Sequence, residues 1–160
     1  MNTTQNTPLA MVTGASRGIG KAIAEALAEA GYHLILTCNH TLAELQEIAT
    51  SLEEKYGIAC TALAADAADP AAIEKVFSSL NHLDVLVNNA GITNDKLLIG
   101  MKDEDFDSVV NVNLRGTFLM TRAFLKKMYK KKSGAIINLA SVVGLHGNVG
   151  QANYAAAKAG

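Results

Sequence analysis

Tyr154 and Lys158 stand four residues apart, and Ser141 lies thirteen residues before the tyrosine. On a helix, positions i and i+4 share a face, with Cβ atoms about 5–6 Å apart. The chemistry such a pair offers is proton transfer. An ordinary phenol has a pKa near ~10 and gives up its proton poorly at neutral pH. Bringing it to ~7 takes roughly three pH units, or about 4 kcal/mol. One ammonium about 4 Å away, at an effective dielectric of ~20, supplies about that much. The same spacing also occurs where a lysine stem merely lies along a tyrosine ring. Position separates the two readings. Ser141 follows the apolar run AIINL at 135–139, at the carboxyl edge where open α/β sheets bind ligands. A glycine-rich stretch from Gly144 to Gly150 then leads to the tyrosine.

A second constellation is TGASRGIG at 13–20. It follows an apolar strand, LAMVT at 9–13, and opens a helix. Its spacing, G-x-x-x-G-x-G, differs from the G-x-G-x-x-G dinucleotide pattern, but the physics is shared. Gly14 lets the chain turn sharply off the strand. Gly18 and Gly20 remove side chains where a pyrophosphate or the helix must come close, and the helix N-terminus offers free N–H groups to negative charge. The ribose would be read at the end of the second strand, where an acidic residue suits a free 2′-hydroxyl and a basic one a 2′-phosphate. That region is Thr37-Cys38-Asn39-His40, without a carboxylate, and Arg17 supplies a permanent cation nearby. The expectation is NADP(H) rather than NAD(H). Asn113 is a third candidate. An amide inside a helix beside Leu114 and near Gly116 is a poor helix former. It either satisfies backbone groups where the helix bends or holds a water near the lysine as a proton relay.

The elements that would position these groups alternate. Strands are expected at Leu9–Thr13, His33–Thr37, Ile58–Ala64, Leu83–Val87 and Ala135–Leu139. Helices are expected over Lys21–Ala30, from Leu42 to Tyr56 and closed by Gly57, after an Asp69-Pro70 cap, over Asp103 to Lys130, and from Gln151 onward. Phe106, Val109, Val110, Phe118, Phe124 and Met128 are candidates for the inner face of the long helix. Five near-continuous apolar strands separated by helices predict an α/β fold, a doubly wound, Rossmann-like parallel sheet covered on both faces.

Composition narrows the class. A chain of 160 residues, 49% hydrophobic and 18% charged, suits one globular domain over 1–160. A net charge of −1 provides no global field toward nucleic acid or an anionic membrane. Cys38 and Cys60 fit buried free thiols rather than a disulfide framework or metal cluster. The first twelve residues lack the basic and apolar regions of a signal peptide, and no apolar run reaches membrane-spanning length, so a cytoplasmic protein is expected. Lys126, Lys127, Lys130, Lys131 and Lys132 form the one charge cluster, either a solvated helix end or a docking patch for an acidic partner.

Five motifs in order, TGASRGIG at 13–20, NNAG at 88–91, NLRG at 113–116, Ser141 and YAAAK at 154–158, resemble the short-chain dehydrogenase/reductase family from residue 9 to residue 160. The longer runs NNAGITNDKLL and SVVGLHGNVGQANYAAAKAG are similar to its bacterial 3-oxoacyl-(acyl-carrier-protein) reductases. The resemblance implies NADPH-dependent reduction of a 3-oxoacyl thioester in fatty-acid synthesis. Tyr154 would be the general acid, Lys158 would lower its pKa and bond the nicotinamide ribose, Ser141 would hold the substrate oxygen, and Asn113 would anchor a relay water. Cofactor contacts would fall to Gly14, Ser16, Arg17, Gly18, Ile19, Gly20, Asp66, Asn88, Ala90 and Gly91, together with Tyr154 and Lys158. Asp66 would sit near the adenine, and Asn88, Ala90 and Gly91 along the adenosine side of the cleft. An acidic acyl-carrier protein would be the partner, with Lys132 and its neighbours as its docking patch. A dimer or tetramer would form through the fourth and fifth helices.

Family members continue through further strands and a substrate-covering segment, so the domain is expected to be truncated at its C-terminal end. A frayed tyrosine helix and an exposed sheet edge follow as expectations. Two alternatives stay open: a reductase or dehydrogenase for another carbonyl or alcohol, and a non-catalytic fragment.

Overall fold

The computed structural model describes residues 7–129 and 132–160; Lys130 and Lys131 of the lysine cluster lie outside the described residues. Five parallel strands form one sheet in the order β3-β2-β1-β4-β5. They are β1 (Leu9–Thr13), β2 (His33–Cys38), β3 (Cys60–Ala64), β4 (Val85–Asn88) and β5 (Ala135–Asn138). The helices are α1 (Gly18–Glu29), α2 (Leu42–Tyr56), α3 (Pro70–Ser78), α4 (Asp103–Val110), α5 (Gly116–Met128), α6 (Val143–His146) and α7 (Ala152–Ala159). The chain runs β1 to β3 in one direction across the sheet and returns through β4 to β5 in the other. The crevice where the order reverses lies between β1 and β4, at their carboxyl ends.

Each central strand is buried on both faces because each feeds two cores. Successive side chains of a strand point to opposite faces. Ala10 and Val12 of β1 therefore join Leu34, Leu36, Leu45, Leu52 and Val87 under α1 and α2. Met11 joins Ile35, Leu86, Phe77, Leu119 and Phe124 under α3 and α5. Met11 pairs in register with Ile35 on one side and Leu86 on the other. Burying a side chain such as Phe124 fully contributes about 1.5–3 kcal/mol.

Local signals set several boundaries. Asp69 accepts a hydrogen bond from the Ala71 N–H at 2.9 Å with Pro70 behind it, a cap of about 1 kcal/mol. Gly57 closes α2 in the left-handed region at φ 66°.

Other expectations need correction. The long helix is two helices joined by a π-helical turn, Asn111–Arg115. A π turn inserts a residue and so rotates the following helix by about 100° against a single 3.6-residue pattern. One face drawn through both helices therefore fails. Phe106 and Phe118 are 38% and 56% exposed, while Leu119 and Met120 are buried beside Val109 and Phe124. β3 starts at Cys60 rather than Ile58, β4 at Val85 rather than Leu83, and β5 ends at Asn138. β5 is an edge strand, as the expected exposed sheet edge required, and with Ile137 48% exposed it departs from the expectation of strands covered on both faces. The glycine-rich stretch after Ser141 contains the short helix α6. α7 is packed rather than isolated, with Asn153 and Ala157 buried.

Candidate active site

The turn off β1 is built around one hydroxyl. Thr13 Oγ1 donates to the Val87 carbonyl at 3.3 Å and accepts from the N–H groups of Asn89 at 3.0 Å and Ala90 at 2.9 Å. Asn89 returns two bonds from Nδ2, to the carbonyls of Thr13 at 2.8 Å and Gly14 at 3.0 Å. β1 and β4 are thereby stitched together where their ladder ends. Gly14 has φ 65°, and a Cβ there would lie 2.9 Å from Ala90 Cα. The other two glycines divide their roles in a way the spacing alone did not reveal. A Cβ on Gly20 would collide with Asn89 Nδ2 and the Gly14 carbonyl, so Gly20 serves loop packing. Gly18 faces open space and is required for its φ of 55°.

Above this turn lies a cleft of about 580 Å³. Gly14, Ser16, Arg17, Gly18, Ile19 and Gly20 form its floor, the Cys38–Thr41 turn one wall, and Asp66, Ala90 and Gly91 the other. Among the described residues Asp66 is its only acidic lining residue, and Asp66 Oδ1 accepts from the Ala68 N–H at 2.8 Å. A second cleft shares Arg17, Ile19, Asn89, Gly91 and Ile92 with the first and continues to Leu139, Ala140, Tyr154 and Lys158. One groove thus runs from the end of β2, over the α1 N-terminus, to the tyrosine. Glycine backbone in the left-handed region, open space over Gly18 and an uncapped helix start together fit a dinucleotide with its pyrophosphate on the loop. The residues that would hold it are Ser16, Arg17, Gly18 and Ile19 at the loop, Asp66 and Ala90 on one flank, and Tyr154 and Lys158 at the far end.

Asn88 does not line this groove. Its Nδ2 donates to Thr121 Oγ1 at 3.0 Å and Asn138 Oδ1 at 2.8 Å, tying β4 to β5 and α5. The groove is lined instead by its neighbour Asn89. Asn88 is the last residue of β4 and bonds across the sheet, whereas Asn89 lies one residue past the strand, bonded to the turn after β1.

Tyr154 and Lys158 project from α7, the lysine Nζ 5.8 Å from the centre of the tyrosine ring. Lys158 donates to the Leu139 carbonyl at 2.7 Å, while the Leu139 N–H is spent on Asn88 of β4 at 3.0 Å. The residue after β5 therefore fixes the ammonium to the sheet. Burial lowers the Lys158 pKa. Ser141 Oγ accepts from the Val143 N–H at 3.2 Å and starts α6; its own hydrogen is left to donate. Asn113, buried in the π turn, closes a two-way bond with Ile92: Oδ1 accepts the Ile92 N–H at 2.8 Å and Nδ2 donates to its carbonyl at 2.9 Å. Its side chain thus ties the loop after β4 to the π turn, and the backbone groups it satisfies belong to that loop rather than to the bend itself. The π turn itself packs against α7.

The glycine loop, the π turn with Asn113, the stretch after β5 with Ser141, and α7 with Tyr154 and Lys158 meet at the carboxyl edge of a doubly wound sheet, the architecture of a nucleotide-binding α/β protein; of these the glycine loop, Tyr154 and Lys158 line the groove. A family model described as short chain dehydrogenase matches residues 8–160, and the chain belongs to that family. It is 46% identical over 158 residues to the 3-oxoacyl-[acyl-carrier-protein] reductase of Staphylococcus aureus, covering 96% of this chain and 64% of the relative. It is 46% identical over 156 residues to the enzyme of that name from Escherichia coli, covering 95% and 62%. A solved structure described as a short-chain alcohol dehydrogenase from Sinorhizobium meliloti superposes with a TM-score of 0.89 at 39% identity, over 96% of this chain and 62% of that one. The chain thus spans less than two thirds of the length of these relatives.

The residues not anticipated fall into two kinds. Asn89 lies inside the NNAG motif and Ile92 and Thr93 directly follow it, and their place in the groove becomes visible only in the tertiary structure. Leu139 acts through its main-chain carbonyl, which carries no residue-type signal at all.

Proposed function

We propose that the protein is an NADPH-dependent reductase of a 3-oxoacyl thioester borne on an acyl-carrier protein. The observation that supports this best is the single groove joining the glycine loop to Tyr154 and Lys158. A reduced nicotinamide dinucleotide bound there would supply hydride to the carbonyl carbon. The Tyr154 phenol gives its proton to the carbonyl oxygen, converting C=O to a hydroxyl. Lys158, anchored on Leu139, stabilises the charge left on the tyrosine and reaches the ribose. The Ser141 hydroxyl donates to the same oxygen as charge develops on it, and holding these groups in line adds a proximity effect. Asn113 fixes the loop after β4 onto the π turn beneath α7 and anchors a relay water.

The cofactor preference rests on Arg17 and the Asn39-His40-Thr41 turn, which line one cleft without a carboxylate between them. Lys132 and its neighbours would meet the acidic carrier, and α4 and α5, with exposed Phe106 and Phe118, would pair copies into a dimer or tetramer. The domain proposed is one Rossmann-like unit.

The test is NADPH oxidation with a 3-oxoacyl thioester, in wild type and Tyr154→Phe. The variant should bind NADPH normally and lose turnover by at least about 10²-fold. Near-normal turnover, or a preference for NADH, overturns the corresponding part of the proposal.

A further inference from the structure

Asn153 is fully buried, directly before Tyr154, and uses its amide in three directions. Its Oδ1 accepts the Tyr154 N–H at 2.8 Å. Its Nδ2 donates to the Asn94 carbonyl at 2.9 Å and to the Asp105 carbonyl at 3.0 Å. A primary amide has two donor hydrogens, and both are spent on different segments. One bond reaches the loop after β4, the other the first turns of α4, and the third returns to the first turn of α7. That N–H belongs to the set a helix start leaves without intrahelical partners.

The connection is reinforced around it. The Lys96 N–H donates to the Gly150 carbonyl at 2.8 Å, just ahead of α7. Asp105 accepts from Asn94 Nδ2 at 2.8 Å and from Lys96 Nζ at 2.7 Å. Loop 93–101, the start of α4 and the tyrosine helix therefore form one hydrogen-bonded unit with Asn153 at its centre. No apolar residue can replace that role, since the Asn94 carbonyl and the Tyr154 N–H would lose these bonds, while the Asp105 carbonyl would keep only its other partners, Ser108 Oγ at 3.1 Å among them.

We infer that Asn153 is the positioning residue of the site: it sets Tyr154 and locks the loop beside the groove to the tyrosine helix, so that proton donor and groove wall keep one geometry. The inference rests on the proposed reductase chemistry for its kinetic consequence, but not for the coupling itself.

The experiment compares wild type, Asn153→Ala, Asn153→Asp, Tyr154→Phe and the Asn153→Ala/Tyr154→Phe double variant. NADPH binding is followed by fluorescence, turnover with a 3-oxoacyl thioester, and hydrogen exchange over 93–105 and 152–159. A displacement of the order of 1 Å at a reacting group costs about 10²-fold in rate. Asn153→Ala should therefore lose about 10²-fold in kcat, with NADPH affinity within about twofold of wild type. Asn153→Asp keeps the size and the oxygen facing Tyr154 but sets an oxygen against two carbonyls, and should lose as much. In the Tyr154→Phe background, Asn153→Ala should remove little more, because it acts through that tyrosine. Exchange protection should fall in both segments together. Wild-type kcat in Asn153→Asp, full additivity in the double variant, or protection lost in 152–159 alone overturns the inference. If Asn153→Ala does not fold, Asn153→Ser, which keeps one donor, takes its place with intermediate losses. If wild type shows no turnover that Tyr154→Phe abolishes, the reductase reading fails, and paired or unpaired loss of protection still decides the coupling.

Discussion

Gly144→Ala tests how tightly α6 fixes the lysine. A Cβ at residue 144 would lie 2.7 Å from the Lys158 carbonyl carbon, 2.8 Å from its oxygen and 2.9 Å from the Ala159 nitrogen. Ordinary contact begins near 3.4 Å, and all three atoms are backbone, so no side chain can turn aside. α7 must retreat by about 0.5–0.7 Å or α6 must deform. Overpacking of this kind costs typically about 1–3 kcal/mol. For a chain of this size 1 kcal/mol shifts Tm by roughly 2–4 °C, giving a drop of roughly 2–12 °C. The retreat also pulls Lys158 off the Leu139 carbonyl, so turnover should fall about tenfold, a fraction of the ~10²-fold expected for a full 1 Å misplacement. Calorimetry and NADPH oxidation measure the two effects. Gly100→Ala is the control, since a Cβ there meets nothing within 4 Å and the backbone is not left-handed. If Gly144→Ala melts and turns over like the control, the close α6–α7 contact does not exist in solution and the account of Lys158 positioning is wrong.

Asp105 and Cys60 give two further predictions. The hydrogen bond from Lys96, then the Lys102 N–H and Asn94, holds the Asp105 pKa at about 2. The unfolded value is ~3.9, so this carboxylate contributes stability above about pH 4 that is lost as pH falls toward 2. In Lys96→Met the Asp105 carboxyl resonance should titrate nearer the ordinary range, and acid unfolding should begin at higher pH; an unchanged midpoint would exclude the ion pair as the cause. Burial first, and the charge of Glu53 second, push the Cys60 thiol up to about 12. Iodoacetamide at pH 8 should leave Cys60 unmodified in the folded protein and label it in denaturant, as read by peptide mass; rapid labelling of the native form would contradict its burial.

Local chemistry was legible in the chain itself. Alternating apolar runs and glycine punctuation marked five strands and most helices, because a parallel strand buried on both faces must be apolar throughout. Asp69-Pro70 opened one helix and Gly57 closed another as expected, since capping depends on the residues at the cap. The glycine loop and the Tyr154–Lys158 spacing pointed to one groove because both lie next to the carboxyl ends of strands. Features requiring two segments to meet were not legible. The π turn at Asn111–Arg115 broke the helical phase and exposed Phe106 and Phe118. Asn88, in β4, turned to Thr121 and Asn138, and Asn89, one residue past the strand, lines the groove in its place.

Residue types and their order thus determined the sheet class, the phosphate-type loop and the presence of a phenol with an ammonium one helical turn away. Tertiary structure alone decided which asparagine lines the groove, which carbonyl holds Lys158, and that Asn153 gathers a loop and two helices. The Lys158 bond joins residues 19 positions apart and the Asn153 bonds residues 48 and 59 apart, and no local pattern encodes pairings of that kind.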